Sequence, residues 1–227
     1  MCGRFAFHSP RELTQQLFGI EGSLPLFEPR WNVPPGTDIP VVRIAADGRR
    51  ECALLRWGLV PSWAKERSIG QRLNNARAET LTEKPAFRAA FRRRRCLIPA
   101  DGYYEWRIVT GGKQPYYVSG ANGQPFALAG LWERWTDPAS GEVLDTCVVV
   151  TRESGGVIAE IHSRMPVIVP PEAYALWLDP ATEAGAALAP LMGTESAVEL
   201  AAHPVSRRVN SPRNDDAELT TPVAAAG

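Results

Sequence analysis

Cys96-Leu97-Ile98-Pro99-Ala100-Asp101-Gly102-Tyr103-Tyr104-Glu105-Trp106 is the stretch on which the fold turns. The apolar run over 96–99 and the aromatic run over 102–106 read as two strands joined by a turn at Ala100-Asp101. Three more strands are expected downstream, over 116–119, 126–132 and 143–151, set apart by turns at Gly112, Asn122-Gly123 and Ser140-Gly141.

Upstream, residues 2–7 alternate with Phe5 and Phe7 on one side, the pattern of a short strand. Ser9-Pro10-Arg11-Glu12 then offers an N-cap serine, a first-turn proline and a capping-box glutamate for a helix carrying Leu13 and Leu17 and closed by Gly19. Prolines 29, 34, 35 and 40 rule out a helix over 28–40 and predict a rigid irregular segment leading into a strand over 41–44. Asp47-Gly48 marks a hairpin turn into 51–59, and the polar arm 63–75 is expected as an exposed loop or a ragged helical turn. A helix is predicted over 83–94, ending in the basic run 92–95, which is either a solvated helix end or a phosphate contact.

After residues 157–162, a strand is expected over 167–169. Pro170-Pro171 opens a helix with Tyr174 and Trp177, an alanine-rich helix runs to about 192, and an edge strand covers 198–205. Beyond Asn210 the chain turns polar and then alanine-rich, so 211–227 is expected to be a disordered tail. Strands outweigh helices and no βαβ repeat appears. The expected fold class is therefore α+β over residues 1–210, a mainly antiparallel, barrel-like sheet with flanking helices.

Composition narrows the setting. The 227 residues suffice for a sizeable core, and Lys plus Arg and Asp plus Glu each number 25, so any polyanion must be met by a local patch. No apolar run is long enough to span a bilayer and no signal-peptide pattern opens the chain, which predicts a cytoplasmic protein with no membrane partner. The cysteines at 2, 52, 96 and 147 have neither zinc-site nor disulfide spacing, and Cys96 and Cys147 sit in strand-like runs as expected core thiols. No metal or cofactor is expected.

Cys2 is a different case. Removal of Met1 would leave it with an α-amine and a thiol on one residue, with ordinary pKa values of about 7.7–8.0 and about 8.5. Such a 1,2-aminothiol condenses with an aldehyde, first as a Schiff base and then by sulfur addition to the imine carbon, closing a thiazolidine. As a lone feature, Cys2 is equally readable as a packing residue.

Several blocks occur in one order: Cys2-Gly3-Arg4-Phe5, Trp31-Asn32-Val33-Pro34-Pro35, Arg56-Trp57-Gly58-Leu59-Val60-Pro61, Asn75-Ala76-Arg77-Ala78-Glu79-Thr80, the 96–106 stretch, and Ile161-His162-Ser163-Arg164-Met165-Pro166. From residue 2 to about 210 the chain resembles the SRAP family, the SOS response-associated peptidase group that includes abasic-site processing proteins. The resemblance implies a single domain, expected to act as a monomer. It also implies a covalent DNA–protein crosslink through Cys2 to the ring-opened abasic sugar in single-stranded DNA, shielding the lesion, with lyase character and self-reversal.

Glu105, among aromatic residues, reads either as a desolvated carboxyl that can exchange a proton or as a solvent-facing strand residue, and the resemblance implies the former, assisting ring opening and Schiff-base formation. His162, otherwise readable as a structural histidine, is implied as the acid/base that promotes reversal. Asn75 can hold the amine or aldehyde oxygen without titrating. Arg4, Arg77 and Arg164 are candidate phosphate ligands, with an internal salt bridge, to Glu79 for Arg77, as the alternative. Trp31, Asn32, Pro40, Trp63 and Thr151 complete the expected DNA-binding set, the tryptophans and Pro40 offering faces to bases. Two other readings stay open. One is a thiol peptidase using Cys2 and His162, able to remove Met1 autocatalytically; the other is a non-covalent single-stranded-DNA binding module.

Overall fold

The computed structural model describes residues 2–193, 196 and 198–224. Alternation along the strands of the 96–151 stretch sorts their side chains into two cores. On β6 (Arg95–Ala100), β9 (Phe126–Thr136) and β10 (Val143–Glu153), Leu97, Ala129, Leu131, Val148 and Val150 face the helices, while Cys96, Ile98, Leu128, Cys147 and Val149 face the other way. With β3 (Asp38–Ile44) and β4 (Arg50–Trp57) these strands close a ring in the order β10-β4-β3-β6-β9 and back to β10. All ring pairings are antiparallel except β10 with β4. The expected barrel-like, mainly antiparallel α+β fold is what the chain forms.

A second sheet covers this barrel in the order β13-β8-β7-β1-β2, from β1 (Phe5–Phe7), β2 (Arg30–Val33), β7 (Gly102–Val109), β8 (Gly112–Gly120) and β13 (Leu200–Pro204). Phe5, Phe7, Tyr103 and Val118 from this sheet share a core with Ile39, Val41, Leu55, Trp57 and Ile98 of the barrel. Gly102, where β7 begins, has no room for a side chain: a Cβ there would lie 2.4 Å from Tyr117 Cζ and 2.6 Å from the Val118 carbonyl oxygen.

The other barrel face is covered by α2 (Arg88–Arg93), α3 (Tyr174–Leu178) and α4 (Ala184–Leu188). Buried Arg95 fastens this layer, donating to the carbonyls of Trp177 at 2.6 Å and Phe91 at 2.9 Å. Among the described residues no helix is long and apolar enough to cross a membrane.

Several local expectations are corrected. Ser9 does not cap α1 (Arg11–Phe18), whose N-cap is Pro10; its hydroxyl donates instead to Asp101 Oδ1 at 2.5 Å. Residues 28–40 are not wholly irregular, since β2 forms within them and Pro40 lies inside β3, opposite Leu54. The helices predicted over 83–94 and beyond 170 are shorter than expected, α3 and α4 being separated by a turn that contains Asp179 and Thr182.

The largest correction is the tail. Residues 211–224 pack on the body of the protein: Val205 bridges Pro222, and Asp215 accepts from the amides of Trp31 and Asn32 at 2.6 and 3.0 Å. Composition reads the segment as polar overall, yet Leu219 is fully buried in an apolar cluster with Tyr104, Tyr117, Val205 and Val209, and the polar groups meet donors elsewhere in the fold. Residues 225–227, the end of the expected tail, lie outside the described residues.

Candidate active site

The end of β10 gathers the dispersed motifs. β5 (Asn75–Arg77) runs parallel to it, pairing Asn75 with Val149 and Arg77 with Thr151, while β11 (Arg164–Pro166) runs antiparallel on its terminal residues, pairing Thr151 with Pro166 and Glu153 with Arg164. Thr151 is fully buried at this junction, its hydroxyl donating to the Ala76 carbonyl at 3.4 Å and its own carbonyl accepting from Arg164 at 2.7 Å. Two blocks far apart in sequence, around Asn75 and His162, are thereby set on either side of one strand.

The covering sheet supplies the rest. β1 lies between β2 and β7, so Cys2, just ahead of β1, shares its sheet with Tyr103 and Glu105, which stand on one face of β7 by alternation. The Asn75 amide nitrogen donates to the Cys2 carbonyl oxygen at 2.7 Å, tying β5 to the chain start. Asn75 Oδ1 is buried with no hydrogen-bond partner among the described residues. The side chain of its neighbour Asn74 donates instead to the Gln71 carbonyl at 3.3 Å.

Electrostatics follow from this crowding. Cys2 is fully buried, and burial first, then the nearby Glu105, pushes its thiol well above the ordinary range. Glu105 is 2% exposed, and burial raises its carboxyl, with His162 pulling partly the other way. Glu105 and His162 line one cavity of about 330 Å³ together with Trp106 and Lys113. His162 Nδ1 lies 2.9 Å from the Arg164 amide nitrogen and 3.1 Å from the Arg164 carbonyl oxygen, so the ring is held by the Arg164 backbone. Tyr103, which the sequence did not single out, is wholly buried, its hydroxyl without a hydrogen-bond partner among the described residues. Burial, Cys2 and Glu105 all raise its pKa. Its position two residues before Glu105 was the available signal.

The candidate DNA-contacting residues fall into distinct environments. Arg77 is exposed; Glu79 is not its partner but Arg164's, in a two-pronged bridge of 2.7 and 3.0 Å that holds the Glu79 carboxyl below its usual range. Arg4 Nη1 donates to Asn32 Oδ1 at 2.7 Å and to the Val209 carbonyl at 3.0 Å. Asn32 is fully buried and donates to the carbonyls of Ser211 and Asn214 at 3.0 and 2.6 Å, so its side chain organises the interior. Trp31 stacks on His8, with ring centroids 5.4 Å apart. Pro40 lines a separate cavity of about 150 Å³ with Phe5, Phe7 and Leu54, away from the Glu105 cavity. Trp63, 60% exposed, borders a third hollow with Lys65 and Arg72.

Among the described residues no group of three or more His, Cys, Asp and Glu side chains is placed to hold a metal ion. The arrangement offers a carboxyl with a raised pKa and an imidazole at one opening, with the buried thiol of Cys2 close to the carboxyl.

The family model described as SOS response associated peptidase (SRAP) matches residues 1–212. The abasic site processing protein YoqW of Bacillus subtilis (strain 168) is 40% identical over 223 residues, covering 96% of this chain and 98% of its own. The abasic site processing protein HMCES of Xenopus tropicalis is 33% identical over 231 residues, covering 87% of this chain and 67% of its own. A crystal structure of a protein from Bacteroides thetaiotaomicron superposes with a TM-score of 0.87 at 25% identity, covering 98% of this chain and all, 100%, of that one. With a family match over nearly its whole length and relatives of this similarity, the chain belongs to the SRAP family.

Proposed function

We propose that the chain processes abasic sites in single-stranded DNA by crosslinking to them through Cys2. The observation that carries this reading is the bond from Asn75 to the Cys2 carbonyl, which ties down the chain start near Glu105, and Glu105 in turn lines a cavity with His162. Met1 lies outside the described residues, and its removal is part of the proposal.

The reaction balances without an oxidant. The Cys2 amine adds to C1′ of the opened sugar, and loss of water leaves an imine. The thiol sulfur then adds to the same carbon while its proton passes to nitrogen, closing the thiazolidine. Glu105, kept protonated to higher pH by burial, can give a proton to the departing hydroxyl and take one back from the amine. Asn75 Oδ1, buried without a partner among the described residues, is an acceptor for the new α-amine. His162, its ring held by the Arg164 backbone, serves the reverse reaction and the lyase step. The thiol comes second because sulfur closes the ring only onto the imine carbon that the amine has made.

The test is intact mass of protein confirmed to begin at Cys2, incubated with a single-stranded oligonucleotide carrying one abasic site. A heat-stable adduct is expected, absent in Cys2→Ala and in protein that retains Met1. No adduct from correctly processed protein would overturn the proposal.

A further inference from the structure

The segment 209–216 binds at two places around the site, and Asp215 is its clamp. One carboxylate satisfies three donors: the amides of Trp31 and Asn32 at 2.6 and 3.0 Å and Arg30 Nε at 2.5 Å. Asn32, so fixed, gives its amide hydrogens to the carbonyls of Val209, Ser211 and Asn214, at 3.3, 3.0 and 2.6 Å, and its oxygen to Arg4. Arg4 stands two residues from Cys2, and its own carbonyl accepts from the Tyr104 amide at 2.9 Å. At the segment's other contact, Asn210 Oδ1 accepts from the indole of Trp106, which lines the cavity of Glu105 and His162, at 2.8 Å. Asp215 lies beyond the family match, which ends at residue 212.

We infer that residues 209–216 are a positioning element for the DNA-binding face, and that Asp215 sets the direction of the Arg4 guanidinium by way of Trp31 and Asn32. The inference rests on the reading of Arg4 as a phosphate ligand in abasic DNA. The argument is geometric. Arg4 is a long side chain with many rotamers, and a guanidinium binds phosphate well only when its plane is fixed in advance. Asn32 Oδ1 fixes one nitrogen of that plane, and Asn32 is itself held by a segment that Asp215 anchors to the same strand. Losing Asp215 strands two amides and releases Arg30, freeing β2 at the residue that holds Arg4.

The experiment is a double-mutant cycle on the full chain beginning at Cys2, with wild type, Asp215→Ala, Arg4→Ala and the pair. Each protein is first checked for cooperative unfolding. Two quantities are then read with the same oligonucleotide: the crosslinking rate at saturating abasic single strand, and the half-saturation concentration for the intact single strand. Asp215→Ala should raise the half-saturation concentration about tenfold, the scale of one charge-assisted hydrogen bond. The double variant should be no worse than Arg4→Ala alone. Asp215→Asn keeps an oxygen for the two amides and should recover most of the loss. Effects that multiply in the double variant would overturn the inference, as would wild-type behaviour of Asp215→Ala. If Asp215→Ala does not fold, the same cycle with Asp215→Asn, which loses only the Arg30 partner, decides by the same criterion at a smaller amplitude. If wild type binds the strand without forming an adduct, crosslinking fails while the binding cycle still judges the clamp. If wild type does not bind at all, both fall.

Discussion

Glu105 carries a cost that its chemistry requires. A carboxyl with a folded-state pKa above its unfolded value binds its proton more tightly in the folded protein. Ionising it therefore subtracts stability as pH rises from the ordinary carboxylate range through the folded pKa, and the full loss is felt above that. Glu105→Gln removes the charge. Its melting temperature should match wild type below about pH 4 and exceed it increasingly toward neutral pH, while crosslinking slows by about 10²-fold or more. A melting-temperature difference that does not change with pH would contradict the burial argument. Asn75 makes the opposite trade. Asn75→Ala loses the 2.7 Å bond to the Cys2 carbonyl, and should cost about 1 kcal/mol of stability by denaturant titration. Its crosslinking rate at saturating DNA should fall about tenfold, since the chain start is no longer held at its angle. The residue types were readable in the sequence; their protonation was not, because it depends on what else is buried beside them.

At the scale of elements, β7 shows how a strand start can decide a site. Gly102 lets Tyr117 and the Val118 carbonyl approach to distances that no side chain allows, and three residues later the same strand presents Glu105. Gly102→Ala should therefore destabilise by about 2–3 kcal/mol through overpacking, read as a lower denaturant midpoint with an unchanged slope. A midpoint within error of wild type would mean that β8 can yield there. Ser9 teaches a related lesson. Ser-Pro-Arg-Glu is a proper helix-start pattern, yet the buried Asp101 carboxylate takes the serine hydroxyl and the amides of His8 and Ser9, because it is the stronger acceptor. Pro40 sits within β3 for a matching reason. Its missing N–H falls where β3 has left β6, whose one paired position with β3 is Val42 with Leu97.

Across the whole molecule, 25 acidic and 25 basic side chains leave no net field to draw in DNA, so on the proposed reading affinity rests on a few placed arginines. If Arg4, Arg77 and Arg164 each neutralise one phosphate, the logarithm of the single-strand binding constant should fall against the logarithm of salt concentration with a slope of about −2. A shallower slope would mean that Arg164 stays with Glu79. A slope steeper than about −4 would bring in further cations, first the exposed Arg92 and Arg93 of the basic run, whose neighbours Arg94 and Arg95 are committed to Glu133 and to buried carbonyls. A titration of anisotropy against potassium chloride distinguishes the three.

Period-two alternation and turn residues carried the strands of 96–151 and with them the α+β class, because both are local: a side chain's face follows from its place in its own strand. The ordered blocks likewise pointed to Cys2, Asn75, Glu105 and His162 and to the family. Only the tertiary structure decided which of these touch. β10 pairs β5 in parallel and β11 in antiparallel, and no local pattern specifies a partner so far away in sequence. The tail was misread for the same physical reason. It is held by the Asp215 carboxylate, whose donors Trp31 and Asn32 lie more than 180 residues upstream, and by Leu219, buried in a cluster with Tyr104, Tyr117, Val205 and Val209, so a polar-looking segment becomes structure only when those distant partners are present.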